Sequence, residues 1–187
     1  MLESFSKWLL TLLGWRLDKQ LPDTHKYLVI GAFHTSNWDL PLGLLGLWAM
    51  GVKSRWIAKH TLFRWPLGPL LRAIGGIPVD RRVHTGFINR IAAAYSANDE
   101  LVITIAPEGT RSKTGYWKSG FYYIAMAAKV PIVLGYIDYP NKRLGIGGSL
   151  NPSGDIENDM AIIRDFYSDK TGLKPENQGE IRLQQRS

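Results

Sequence analysis

No cysteine occurs in the 187 residues, which excludes disulfides, thiolate metal sites and a thiol nucleophile together. No apolar run reaches the roughly 20 residues that a membrane-spanning helix requires. Internal repeats, low-complexity tracts and interdomain linkers are likewise missing. Hydrophobic residues at 45% and charged residues at 21% exclude a disordered or fibrous description of the whole chain. The length suits one domain with a substantial core.

What is abundant is tryptophan and positive charge. Trp8, Trp15, Trp38, Trp48, Trp56, Trp65 and Trp117 all lie in the first two thirds of the chain, and tryptophan favours places where an apolar body meets a wet edge. The net charge of +7 is local. Between residues 53 and 90 stand Lys53, Arg55, Lys59, Arg64, Arg72, Arg81, Arg82 and Arg90 against Asp80 alone, so the rest of the chain sums to zero. Such a stretch attracts anionic lipid, phosphorylated substrates or nucleic acid, or is simply a solvated face.

Two segments invite membrane contact. Leu2, Phe5, Leu9 and Leu12 recur at helical spacing, with Trp8 and Leu13 widening the apolar side and Glu3, Ser4, Ser6, Lys7 and Thr11 opposite. This amphipathic helix either lies in a bilayer interface or docks on the protein's own core. As a signal peptide it is poor, because Glu3 precedes the apolar part and no small-residue cleavage site follows. Residues 62–74 form a second apolar stretch, broken by Pro66 and Pro69 and studded with Arg64 and Arg72. Aliphatic side chains beside arginines fit acyl chains below and lipid phosphates above.

Apolar, β-branched runs predict strands over residues 27–33, 55–58, 77–80, 101–106 and 132–139. Helical patterns cover 38–50, 62–73, 87–97, 121–129 and 155–167, and the glycine-rich 142–149 reads as an edge strand or a loop. Strands alternating with helices predict a single α/β layered domain, a largely parallel central sheet flanked by helices. The expected organisation is an N-terminal amphipathic, membrane-associating helix (1–20), one catalytic domain (21–170) and a loose polar C-terminal tail (171–187).

In such sheets, ligand sites gather beyond the carboxyl ends of the strands. Three polar clusters fall there: His34 to Asp39, Asp80 to Arg82, and Glu108 to Arg111. Within one helix, His34 and Asp39 would stand roughly 140° apart, so they meet only if His34 precedes the helix and Asp39 lies in its first turn. Ser36 and Asn37, both good N-cap residues, and Pro41, tolerated in a first turn, supply that break. A carboxylate that orients a histidine makes a general base. Ser36-x-x-Asp39 also fits a capping box, in which Asp39 would only close the helix. Glu108-Gly109-Thr110-Arg111 couples a glycine, which admits close backbone approach, to an arginine suited to phosphate.

Taken in order, His34-x4-Asp39, Gly76-Ile77-Pro78-Val79-Asp80-Arg81, Pro107-Glu108-Gly109-Thr110-Arg111-Ser112 and Val130-Pro131-Ile132-Val133 resemble the four blocks of the glycerolipid acyltransferases of the lysophosphatidic acid acyltransferase type. The resemblance spans residues 27–139. It departs at Phe33, where asparagine is common, and at Ala106, where phenylalanine is common. It implies acyl transfer from acyl-CoA or acyl carrier protein to a lysophospholipid hydroxyl, most simply that of 1-acylglycerol 3-phosphate, with no metal, cofactor or acyl-enzyme. His34 would be the base and Asp39 its partner; Arg81, Glu108, Gly109, Thr110 and Arg111 would bind the acceptor; Pro131 would shape the acyl or acceptor site. Backbone amides near Gly109 are candidates for the oxyanion contact. A peripheral position on the cytoplasmic face of an anionic membrane follows.

Two other readings compete. A thioesterase would use the same His–Asp pair on water, although the Gly-x-Ser-x-Gly elbow of serine hydrolases is absent. A non-enzymatic basic membrane or nucleic-acid module would use residues 53–90, but no familiar nucleic-acid motif occurs, so nucleic acid is not an expected partner.

Overall fold

A computed structural model of the protein describes residues 1–80 and 86–184. The chain opens with α1 (Leu2–Leu12) and β1 (Arg16–Lys19), followed by β2 (Lys26–Ala32), α2 (Asp39–Ala49) and β3 (Ser54–Lys59). A short 3-10 turn (His60–Phe63), α3 (Leu67–Ala73), β4 (Gly76–Val79), α4 (Phe87–Ser96) and β5 (Leu101–Ile105) come next. The chain continues through α5 (Gly120–Ala128), β6 (Ile132–Asp138), β7 (Arg143–Leu150), α6 (Ile156–Tyr167) and a second 3-10 turn (Pro175–Asn177).

The strands form one seven-stranded sheet in the order β1-β7-β6-β2-β5-β3-β4, parallel except between β6 and β7. The expected architecture, a single α/β domain with a largely parallel sheet between helices, is the one observed. β2, the central apolar strand, pairs with β5 on one side and β6 on the other. Its side chains alternate between two cores. Leu28 and Ile30 join Ile103, Ile132 and Leu134 beneath Tyr95 of α4, Phe121 and Ile124 of α5, and Met160 and Ile163 of α6. Tyr27 and Val29 face Leu47 and Met50 at the end of α2. On that same side α1 contributes Leu10, packed with Ala49 and Leu144, and the first 3-10 turn contributes Phe63, packed with Leu44 and Trp56.

Where the structure departs from the sequence reading, the causes are local. The pattern over 62–73 divides into a 3-10 turn and a two-turn helix, because Arg64 takes an extended conformation and Pro66 and Pro69 remove backbone donors. Gly68 lets the two pieces meet, since a Cβ there would collide with the Phe63 carbonyl. The segment expected over 142–149 is a strand, β7 (Arg143–Leu150), hairpinned onto β6. β1 gave no signal: it is four residues long with Leu17 its sole aliphatic side chain, and it pairs only at the sheet edge with β7. The segment over residues 171–184 is not loose. The Tyr139 amide donates to Thr171 O, the Thr171 amide to Asp138, the Trp117 amide to Arg182 O, and the Gln184 amide to Trp117 O. Backbone hydrogen bonds, which leave no trace in hydropathy, hold it down.

α1 docks by a side that includes Ser6, which its amphipathic pattern places on the polar face. Ser6 and Leu10 are buried, whereas Leu2, Phe5, Trp8 and Leu12 are 54–66% exposed. The helix docks through a narrow seam and leaves its wide apolar face uncovered. Leu62, Trp65, Leu67 and Leu70 around α3 are exposed as well, and Trp65 reaches 87%. Among the described residues, no helix is long and apolar enough to cross a membrane.

Candidate active site

The carboxyl ends of three adjacent parallel strands build this site. Residues 33–38 leave the end of β2 as an irregular turn, and α2 begins at Asp39 itself. His34 therefore precedes the helix and Asp39 occupies its first turn, the arrangement that the spacing requires. Nδ1 of His34 lies 3.2 Å from Oδ2 of Asp39, with the histidine side chain 27% exposed and the aspartate almost covered. That same Oδ2 accepts hydrogen bonds from the amides of Thr35 and Ser36, each 2.7 Å long. One carboxylate thus both ties down the amides ahead of α2 and faces the His34 ring. The helix N-cap is Trp38 rather than Ser36 or Asn37, and the Ser36 hydroxyl accepts from the Trp38 amide at 3.2 Å.

Tyr139, one residue past β6, was not legible as a site residue. Its hydroxyl donates to Oδ1 of Asp39 at 2.7 Å. β6 lies beside β2 with Ala32 opposite Tyr136, so a residue just beyond β6 reaches the turn just beyond β2. Burial acts to raise the Asp39 pKa, but His34, the Tyr139 hydroxyl and the Ser36 amide outweigh it and hold the carboxyl below its ordinary value. Asp39 stays ionised, and burial together with that carboxylate drives the Tyr139 phenol upward. With an anion at Nδ1, the neutral imidazole keeps its proton there and leaves the Nε2 lone pair free to accept another.

Glu108 approaches from the opposite side, at the end of β5. Its side chain points inward, 5% exposed, and Oε1 accepts the His34 amide at 3.0 Å. Oε2 is buried with no partner among the described residues. Burial pushes the carboxyl up to about 7 against the opposing pull of the His34 amide. The folded state therefore holds this proton between the ordinary 4.5 and about 7, while the unfolded chain has released it. Ionisation across that window costs about 3 kcal/mol of stability in all. Glu108→Gln keeps an acceptor for the His34 amide and cannot ionise. Its stability relative to the parent protein should rise from pH 4.5 to 7 and level off above. Urea unfolding at a series of pH values checks this, and a difference that does not change with pH would contradict it.

The other expected site residues are scattered. Gly109 adopts a left-handed conformation, φ 65°, that lets the turn fold Glu108 inward. Its amide donates to Ala106 O at 3.1 Å, and the amides of His34, Thr35 and Ser36 are also taken up, so the expected oxyanion donors near Gly109 do not include its own N–H. Thr110 is exposed, its hydroxyl accepting from the Ser112 amide. Arg111 lines a cavity of about 550 Å³ together with Thr35, Ser36, Asn37 and Trp38 of the turn between His34 and Asp39 and with Ser112, Leu173, Lys174 and Asn177. Arg81 lies outside the described residues.

Pro131 does not sit beside this cavity. It precedes β6, and its carbonyl accepts from the Leu28 amide near the start of β2. Because the two strands are parallel, Pro131 and His34 lie at opposite ends of the sheet, about 20 Å apart at the rise of a strand. Pro131 instead borders a separate open cavity with Thr24, Lys26 and Lys129.

The chain is similar to known acyl-transfer proteins at two levels. The structure is similar to the crystal structure of the 1-acyl-sn-glycerophosphate (LPA) acyltransferase PlsC from Thermotoga maritima. The TM-score is 0.54 and the identity 21%, over 90% of this chain and 74% of that one, a likeness of fold. No curated protein matches the sequence. The family model described as Acyltransferase matches residues 16–136, from β1 through β6 and with every catalytic candidate except Tyr139, and so the chain belongs to the acyltransferase family.

Proposed function

We propose that this protein transfers a fatty acyl group from acyl-CoA or acyl carrier protein to the hydroxyl of a lysophospholipid, 1-acylglycerol 3-phosphate foremost, in phospholipid biosynthesis. The observation that carries the proposal is the His34–Asp39 pair, whose connecting residues Thr35, Ser36, Asn37 and Trp38 line a cavity with Arg111. Nε2 of His34 removes the proton of the acceptor hydroxyl as its oxygen attacks the thioester carbonyl. Asp39, ionised and pinned by three hydrogen-bond donors, stabilises the imidazolium that forms. Collapse of the tetrahedral intermediate breaks the carbon–sulfur bond, and the imidazolium proton passes to the departing thiolate. The thioester is already activated, so neither a metal nor an acyl-enzyme is needed. Arg111 supplies a fork for a phosphate.

Membrane association belongs to the same proposal. The exposed faces of α1 and the α3 region lie on the α2 side of the sheet, and α2 carries Asp39. Both would enter the interface of an anionic bilayer, at the cytoplasmic surface where acyl donors are found, with Arg64 and Arg72 at the phosphates.

Purified protein incubated with labelled acyl donor and a panel of lysolipids should convert 1-acylglycerol 3-phosphate to the diacyl product, identified by mass spectrometry. Release of free fatty acid at the same rate with and without acceptor would replace this reading with a thioesterase. Transfer only to another lysolipid or an aminolipid would keep the chemistry and change the acceptor. Salt-sensitive nucleic-acid binding with no transfer would discard it.

A further inference from the structure

One wall of the cavity at the Thr35–Trp38 turn comes from outside the region that matches the acyltransferase family. Residues 171–177 follow the last helix, well beyond position 136 where that match ends. They are fastened at two points, to the end of β6 and to the turn after β2. Thr171 bridges Asp138 and Tyr139 through its amide and carbonyl, and the Lys174 amide donates to the hydroxyl of buried Thr35 at 3.2 Å. Gly172 presses so closely that a Cβ would stand 2.9 Å from the Thr35 hydroxyl oxygen. This seating puts Lys174 and Arg111 on one cavity, with Asn37, Ser112 and Asn177 as further polar groups. Among the described residues, neither cation is paired with a carboxylate. Two uncompensated cations on a cavity lined with hydroxyl and amide groups form an anion site.

We propose that Lys174, with Arg111, binds a substrate phosphate at this cavity, so that residues beyond the family region set the enzyme's preference for a charged substrate. The phosphate belongs either to the acceptor, as a phosphomonoester, or to the CoA of the donor. The inference rests on the acyl-transfer reading for which substrate enters, while the presence of an anion site can be tested without turnover.

The experiment measures equilibrium binding of glycerol 3-phosphate and, separately, of CoA to the full chain and to Lys174→Ala. Removing one screened, charge-assisted contact should weaken one of the two by about tenfold. Lys174→Arg should restore it. Weaker glycerol 3-phosphate binding assigns the site to the acceptor, and weaker CoA binding assigns it to the donor. Unchanged binding of both, with the variant folded as judged by Tm, overturns the inference. In turnover, KM for the same substrate should rise with kcat nearly unchanged, and an uncharged monoacylglycerol acceptor should not respond if the phosphate is the acceptor's. A parent protein that binds phosphate through Lys174 but transfers no acyl group would refute the proposed function and leave the site standing. Normal transfer with no Lys174 effect would do the reverse.

Discussion

Alanine in place of His34 is expected to lower kcat by about 10²- to 10⁴-fold, the range associated with removing a positioned general base, while the fold persists. The side chain is partly exposed and its charged neighbour is Asp39. That carboxylate keeps the Thr35 and Ser36 amides and the Tyr139 hydroxyl when the ring is gone. KM for the acceptor should change little, because the base acts on the hydroxyl proton and not on the headgroup. Asp39→Asn is the informative contrast. An amide cannot accept at both positions, so this variant loses the anion beside the imidazole and also loosens the turn. It should combine a large fall in kcat with a lower Tm, whereas His34→Ala shows only the first. Near-normal transfer by His34→Ala would remove His34 from the mechanism.

Charge placed on the outer face of α1 should release the protein from vesicles without unfolding it. Leu2, Phe5, Trp8 and Leu12 are more than half exposed and project away from the Ser6–Leu10 seam. Each contributes on the order of 1 kcal/mol when it enters an apolar interface. Phe5→Glu with Trp8→Glu forfeits two such contributions and adds two anions near a negative surface, so partitioning onto vesicles rich in anionic lipid should fall by about 10²-fold or more. Sedimentation with vesicles measures this. Activity on detergent-dispersed substrate should survive, since neither residue touches the His34 turn. The residual binding should reside in the α3 region and weaken with salt, because Arg64 and Arg72 act there through a screened field. Unaltered vesicle binding by the double variant would show that α1 is not the anchor.

The legible and illegible parts of the site divide by sequence distance. His34 and Asp39 are five residues apart, so helix geometry alone required a break between them for the two to meet, although the structure caps α2 with Trp38 and not with Ser36 or Asn37. The strands were legible because β2, β5 and β6 are apolar runs buried on both faces. Glu108 was recognised, but its orientation was not. A carboxylate in a Pro-Glu-Gly turn reads as a ligand contact, while the structure turns it inward to hold the His34 amide across 74 residues of sequence. Tyr139 lies 100 residues from Asp39 and carries no motif; only the pairing of β6 with β2 brings it there. Pro131 was misplaced for the related reason that a block's order along the chain does not say which end of the sheet it occupies.

By itself, then, the sequence determined the alternation of strands and helices, the local His34–Asp39 turn, the amphipathicity of α1 and the basic excess over residues 53–90. The tertiary structure decided the rest. Strand order selects which turns share an edge, and through that the partners of Asp39. Docking selects which face of α1 is left uncovered. Backbone hydrogen bonds to Asp138, Tyr139 and Thr35 seat a polar segment beside the catalytic turn, a placement that long-range pairing energies set and that local propensity and hydropathy do not encode.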